Sequence, residues 1–181
     1  MTPGLGCRAR GSVDSRFPRF LLLLLVLLAI IHFAPLYSRL PDVVQSHFNS
    51  RGAPNVWQTK PVFFAFFIGA TVLATVLAFG LPALMRALPV QLFNLPNNQY
   101  WFAIERRAKS LDFLDSWFAW HACALFSLVC YAFEFAVRSN VGPGPVPHPE
   151  RLLYAIFGFL VFTLIWIGRL LVRFRPPPRS S

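Results

Sequence analysis

The chain has 181 residues, of which 56% are hydrophobic and only 13% charged, and it carries 20 Phe. A soluble domain of this size holds about a quarter charged residues, so the composition argues against an ordinary soluble domain and for a membrane protein. The net charge of +10 would suit a nucleic-acid partner, but the basic residues gather at the ends of apolar runs and form no basic domain. Membrane orientation explains that placement and nucleic acid does not.

In chain order, residues 1–19 form a basic leader with Arg8, Arg10, Arg16 and Arg19, expected to be disordered. Residues 20–37, FLLLLLVLLAIIHFAPLY, follow. A basic start before a Leu run resembles a cleaved signal peptide, but no A-x-A-like site follows and the run is nearly long enough to span a bilayer. It is expected to be a retained first span. Residues 40–60, LPDVVQSHFNSRGAPNVWQTK, are polar and rich in turn formers, with His47, Arg51, Trp57 and Lys60 among them. A long polar loop between two apolar runs is a candidate for function.

Residues 62–85 are the expected second span. Ala70, Ala74 and Ala78 recur every fourth residue, a small-residue stripe that lets another helix come close and suggests a helix–helix oligomer face. In the connection 86–116, Trp101, Ile104, Ala108, Leu111 and Leu114 repeat at three and four, the signature of an amphipathic helix. It is expected to lie in the membrane interface before the third span, with Glu105 and Lys109 paired at i,i+4. The third and fourth spans are expected at 117–137 and 152–172. A Gly/Pro-rich link joins them, and a basic Pro-rich tail, 173–181, ends the chain. The fold class is thus all-α, a four-span integral membrane domain over residues 20–172.

Lys and Arg decide the orientation. The leader, the 86–116 connection and the end from Arg169 hold four each, whereas the opposite side holds only Arg39, Arg51, Lys60, Arg138 and Arg151. The positive-inside rule then places both termini in the cytoplasm and the 40–60 loop outside.

Little chemistry is legible. Cys123 and Cys130 sit in an apolar helix without ligand partners and read as small buried hydrophobes. The outer loop offers only His47 and Asp42 toward a metal, too few for a zinc site. Neither a nucleophile elbow, a phosphate loop nor a dinucleotide fingerprint occurs. Ser46 beside His47 is not expected to form a catalytic dyad. No catalytic residue, cofactor or nucleic-acid partner is therefore expected. Two ionisable residues lie within apolar runs, His32 in the first and Glu134 in the third, and such residues are functional candidates. Counted at 1.5 Å per residue, both fall in the outer leaflet, where they are able to meet.

The 40–60 stretch resembles the LP-x-x-x-P-x-H-F-N-x-x-G-x-x-x-x-W-x-x-K signature of a bacterial membrane domain family of unknown function, whose relatives include SdpI-type immunity and signalling proteins. The matched residues are Leu40, Pro41, His47, Phe48, Asn49, Gly52, Trp57 and Lys60. NLPNNQYWFAIERR, from Asn94, resembles the family's N-L-P-N-K-x-Y-W-x-x-P-E-R-R element, matching at Asn94, Leu95, Pro96, Asn97, Tyr100, Trp101, Glu105, Arg106 and Arg107. The chain departs from these patterns at Gln45, Asn98 and Ile104. The resemblance implies a bacterial inner-membrane protein. Two functions follow as expectations. The first is an interaction module whose outer loop recognises a peptide or an envelope component through Pro41, Asp42, His47, Trp57 and Lys60. The second is a small transporter that uses intramembrane polar residues.

Overall fold

Each apolar run forms a helix in the computed structural model, which describes residues 15–49, 53–93, 95–141 and 148–176. Among these, four helices are long and apolar enough to cross a membrane, Arg16–Arg39, Lys60–Ala87, Ile104–Val141 and Pro149–Arg173. The leader to residue 14, the Gly/Pro link 142–147 and the last five residues lie outside the described residues.

Helix α1 (Arg16–Phe33) tightens into a 3-10 turn over Ala34–Arg39. Pro35 falls where this change begins and has no N–H for the ladder. The polar stretch that follows is a β-hairpin rather than an irregular loop: β1 (Val43–Phe48) pairs antiparallel with β2 (Pro54–Thr59). Asn49 closes the turn, its N–H donating to Ala53 O at 2.9 Å and its Oδ1 accepting from Ala53 N at 3.0 Å.

Helix α2 (Lys60–Thr75) passes through a π-helical segment, Val76–Gly80, into α3 (Leu81–Ala87). Pro82 explains the break. It has no N–H to offer the carbonyl four residues back, that of Ala78, which instead accepts from Arg19 Nε at 3.1 Å.

After a 3-10 turn at Val90–Leu92 and the short α4 (Asn98–Trp101), helix α5 runs unbroken from Ile104 to Val141. Its 38 residues extend about 57 Å, nearly twice a bilayer's hydrocarbon thickness. The amphipathic stretch is helical, as its spacing predicts, and continuous with the third span. Its apolar side is covered only in part: Leu111 and Leu114 bury with Phe93, Phe102 and Phe174 in a small core, whereas Ile104 is 93% exposed and Ala108 is also exposed. The expected Glu105–Lys109 pair is not formed; both side chains are exposed. Helix α6 (Pro149–Arg173) returns along α5 and buries no residue fully.

The main core is aromatic and lies toward the hairpin. Phe33 of α1 meets Phe67 of α2 and Phe133 of α5 edge-on at 5.1 and 4.9 Å, and Phe63 stacks on Phe133 at 4.4 Å. Such ring pairs add to plain burial. Ala74 and Ala78 are wholly buried and share this core with Ala119 and Ala122 of α5. The small-residue stripe therefore serves close packing inside one chain. Of the proposed face, Ala74 and Ala78 point into the chain's own core, and Ala70 is half-buried.

Candidate functional site

The helices alternate in direction, so the hairpin stands at one end and the start of α1, the 88–103 connection and the end of α6 share the other. The two motif stretches thus fall at opposite ends.

At the hairpin end, Gln45 stands opposite Trp57 and His47 opposite Val56, with Ser46 bulged between the two pairs. Lys60 N–H donates to Asp42 O at 2.9 Å. Antiparallel pairs alternate between bonded and non-bonded, so the backbone groups of Val43 and Gln45 on β1, and of Trp57 and Thr59 on β2, point away from the partner strand. The two edges fare differently. On β1, Asn140 near the end of α5 takes the place of a third strand: its Oδ1 accepts from Gln45 N at 2.8 Å and its Nδ2 donates to Gln45 O at 2.9 Å. The corresponding edge of β2 carries exposed Trp57 and Thr59.

The hairpin is also fastened from below. Val44 is fully buried and Phe48 meets Phe135 edge-on at 5.3 Å. Lys60 is the main anchor. Its Nζ donates to Leu40 O at 3.2 Å, lies 3.6 Å from Asp42 Oδ1 and sits 5.0 Å from the centre of the Tyr37 ring. With its side chain only 16% exposed, Lys60 fixes the hairpin to α2 and does not contribute charge to an outer surface. Adjacent strand positions point to opposite faces, so Trp57, paired with Gln45, and His47, paired with Val56, stand on different faces. Trp57 is 55% and Val43 56% exposed. Pro41 is exposed before β1, and Gly52 lies outside the described residues.

Ser46 Oγ does lie 3.3 Å from His47 Nδ1, because the bulge turns the two together. It also lies 3.3 Å from Val56 O, a pure acceptor. That carbonyl competes with the imidazole for the hydroxyl's single proton, so the contact alone does not make a nucleophile–base pair.

Just below the hairpin, His32 and Glu134 meet: Nε2 and Oε2 are 2.8 Å apart. Glu134 Oε1 accepts from Arg138 one turn on. Both carboxylate oxygens are therefore occupied, and the cluster joins α1 to α5. His32 remains 56% exposed at its side chain and Glu134 23%.

At the far end, the side chains of the second motif turn onto the chain's own backbone. Asn97 adopts φ 55°, the left-handed region that Asn tolerates. Its carbonyl receives the N–H groups of Tyr100 and Trp101, and its Nδ2 donates to Phe174 O at 3.0 Å. Trp101 Nε1 donates to Arg175 O at 3.0 Å, so both residues staple the end of α6. Arg106 stacks on the Tyr100 ring at 4.0 Å, and Arg107 donates to Arg86 O and Leu88 O at 3.2 and 3.1 Å. Pro96 forms the turn and Glu105 is exposed in the first turn of α5, while Asn94 lies outside the described residues.

This end also holds a charge cluster that sequence reasoning missed. Asp115 is 5% exposed. Its Oδ2 lies 2.9 Å from Arg86 Nη2 and 3.3 Å from Arg19 Nη2, and Arg86 also reaches Asp112 Oδ1 at 3.0 Å. Asp115 Oδ1 is buried without a partner among the described residues. A signal existed in the sequence: Arg19 begins the first apolar run, Arg86 ends the second and Asp115 precedes the third. Antiparallel packing sets all three at one depth. Asn140 was missed for a simpler reason, since it was counted with the link after the third span.

The model of a family described as a domain of unknown function (DUF1648) matches residues 23–72. That segment covers most of α1, the hairpin and most of α2, and it omits Glu134 and Asn140. Neither a curated protein nor a solved structure matches the chain. The chain is thus similar, over the hairpin and the helices that carry it, to a domain of unknown function in what its four apolar helices indicate is a multi-pass membrane protein.

Proposed function

We propose that this chain is a membrane-anchored interaction module which offers the β2 edge of its hairpin to an extended peptide segment. The asymmetry of the two edges carries the reading. Asn140 occupies the β1 edge, whereas the β2 edge has outward backbone groups beside an exposed Trp57. An open strand edge recruits peptides by adding a strand, with main-chain bonds giving affinity and side-chain contacts specificity. Trp is the residue type most often found as an energetic anchor in such contacts. The charge count supports an outward hairpin with both termini cytoplasmic, and the resemblance suggests a bacterial inner membrane. The resemblance to SdpI-type proteins makes a secreted peptide or an envelope protein the partner class to test first. Transport is the weaker reading, because Glu134 and Asp115, the acidic groups within the packed helices, are each taken up by a basic partner.

A deletion strain challenged with secreted peptide toxins and envelope stresses, then complemented with variants, tests the proposal. Trp57→Ala should abolish rescue while the protein still inserts at normal abundance. Thr59→Pro should do the same, since Thr59 already has φ −67° and its N–H points outward, so proline removes only an edge donor. Full rescue by both variants would refute edge recognition. Orientation is read by single cysteines in a background lacking Cys7, Cys123 and Cys130. Asn55→Cys should react with an impermeant thiol reagent in intact cells, and Lys109→Cys only after permeabilisation; both positions are exposed. The reverse pattern would turn the hairpin to the cytoplasm.

A further inference from the structure

At the end of α6 remote from the hairpin, a cleft of about 480 Å³ opens between α5 and α6, lined by Phe113, Ile165, Gly168, Arg169, Val172 and Arg173. Its two arginines stand four residues apart and so share one helix face. Arg173 is held in place by aromatic rings, its guanidinium 4.5 Å from the centre of Trp101 and 5.5 Å from that of Phe113. Arg169 is exposed. Among the described residues neither arginine has a carboxylate partner, because Asp112 and Asp115 on the neighbouring helix face Arg86 and Arg19. The cleft therefore carries two positive charges without a counter-ion among the described residues, in the last two turns of a membrane-crossing helix.

Its remaining wall is apolar and has a notch. A Cβ added at Gly168 would meet no atom within 4 Å, so the space beside Arg169 is open. Guanidinium groups bind phosphate through paired N–H donors, and an unpaired cation near hydrocarbon is costly. We infer that this cleft binds one anionic glycerophospholipid, its phosphate between Arg169 and Arg173 and an acyl chain along Ile165, Gly168 and Val172. The uncompensated double charge selects an anionic over a zwitterionic lipid, whose own cationic headgroup would crowd the arginines.

Native mass spectrometry of the full chain in detergent, titrated with phosphatidylglycerol and with phosphatidylcholine of the same acyl chains, tests the site. The wild-type chain should retain one phosphatidylglycerol with about tenfold preference, and millimolar inorganic phosphate should not displace it. Arg169→Gln with Arg173→Gln should remove the preference. Gly168→Leu puts a side chain into the notch, where its Cβ meets no atom within 4 Å, and should weaken retention at an unchanged melting temperature. Arg151→Gln, at the opposite end of α6, should behave as wild type. Equal retention of the two lipids by the wild-type chain would overturn the site. Displacement by phosphate would reduce it to a simple anion site. Wild-type retention in Gly168→Leu would reduce the effect to general surface charge, and either result would also refute the proposal.

Discussion

The two ends of the helical bundle handle their polar residues in opposite ways. At the far end, Asn97, Trp101, Arg106 and Arg107 each bind backbone or stack on a ring of the same chain, and Asp115 draws Arg19 and Arg86 together inside the fold. At the hairpin end, polar groups fasten one strand edge and leave the other open. A motif rich in polar and aromatic residues can thus be a staple or a display. What separates them is whether backbone acceptors lie within reach. A helix end leaves carbonyls without a helical partner, and Asn97 and Trp101 bond the two that directly follow α6, those of Phe174 and Arg175.

The charge cluster is where this contrast is easiest to break. Asp115→Leu removes the buried carboxylate shared by Arg19 and Arg86, leaving Arg19 without an acid among the described residues while Arg86 keeps Asp112. Because both guanidinium groups are part-exposed, the cost should fall below that of a fully buried pair, about 3–5 kcal/mol. The variant should show a large drop in apparent melting temperature in detergent, or fail to accumulate in the membrane. Arg138→Gln at the hairpin end removes a side chain that is 69% exposed, and exposed pairs are worth about 0–1 kcal/mol. Equal losses from the two variants would mean that the ends do not differ as described.

Asn140→Ala tests the hairpin from the side of its covered edge. It removes two bonds to Gln45 and exposes that strand's backbone groups. Loss of partners to partly buried groups costs about 1–3 kcal/mol, and the cost should be local. Hydrogen exchange should quicken in residues 43–48 and 54–59 while α5 keeps its protection. Uniform loss of protection through the helices would show that Asn140 serves the bundle and not the edge.

The helices were legible because each apolar run is long and bounded by charges or prolines, and the amphipathic repeat at Trp101, Leu111 and Leu114 is regular. The hairpin was not legible as strands. VVQSHF has no clean alternation of apolar and polar residues, since exposed Val43 is as apolar as buried Val44 beside it and polar Ser46 separates Val44 from Phe48, and the turn formers around it read as loop. Lys60 looked like an outward cation because its inward use depends on Leu40 and Tyr37 arriving from another element. Long-range partners of this kind leave no local pattern. Asp115 stands in a polar connection by sequence and in a packed core by structure, and only the antiparallel return of α1 and α3 reveals it.

The smallest effect concerns His32 and Glu134: counting residues from each helix end sets both side chains in one leaflet, which permits a meeting without requiring it. Proximity is not coupling, however. Glu134 also binds Arg138, and His32 is more than half exposed, so each group retains a second way to satisfy itself. A double-mutant cycle isolates the shared part. His32→Ala and Glu134→Gln should each lower stability in detergent by about 1 kcal/mol, the scale of a single net hydrogen bond. The double variant should lose less than their sum, by about 0.5–1 kcal/mol, because the second substitution then removes a bond already broken. Repeating the cycle with Arg138→Gln in the background should enlarge the coupling, since His32 becomes the only partner left to the carboxylate among the described residues. Strict additivity in both backgrounds would mean that the 2.8 Å contact contributes nothing, and that α1 and α5 are joined by Phe33 and Phe133 alone at this level.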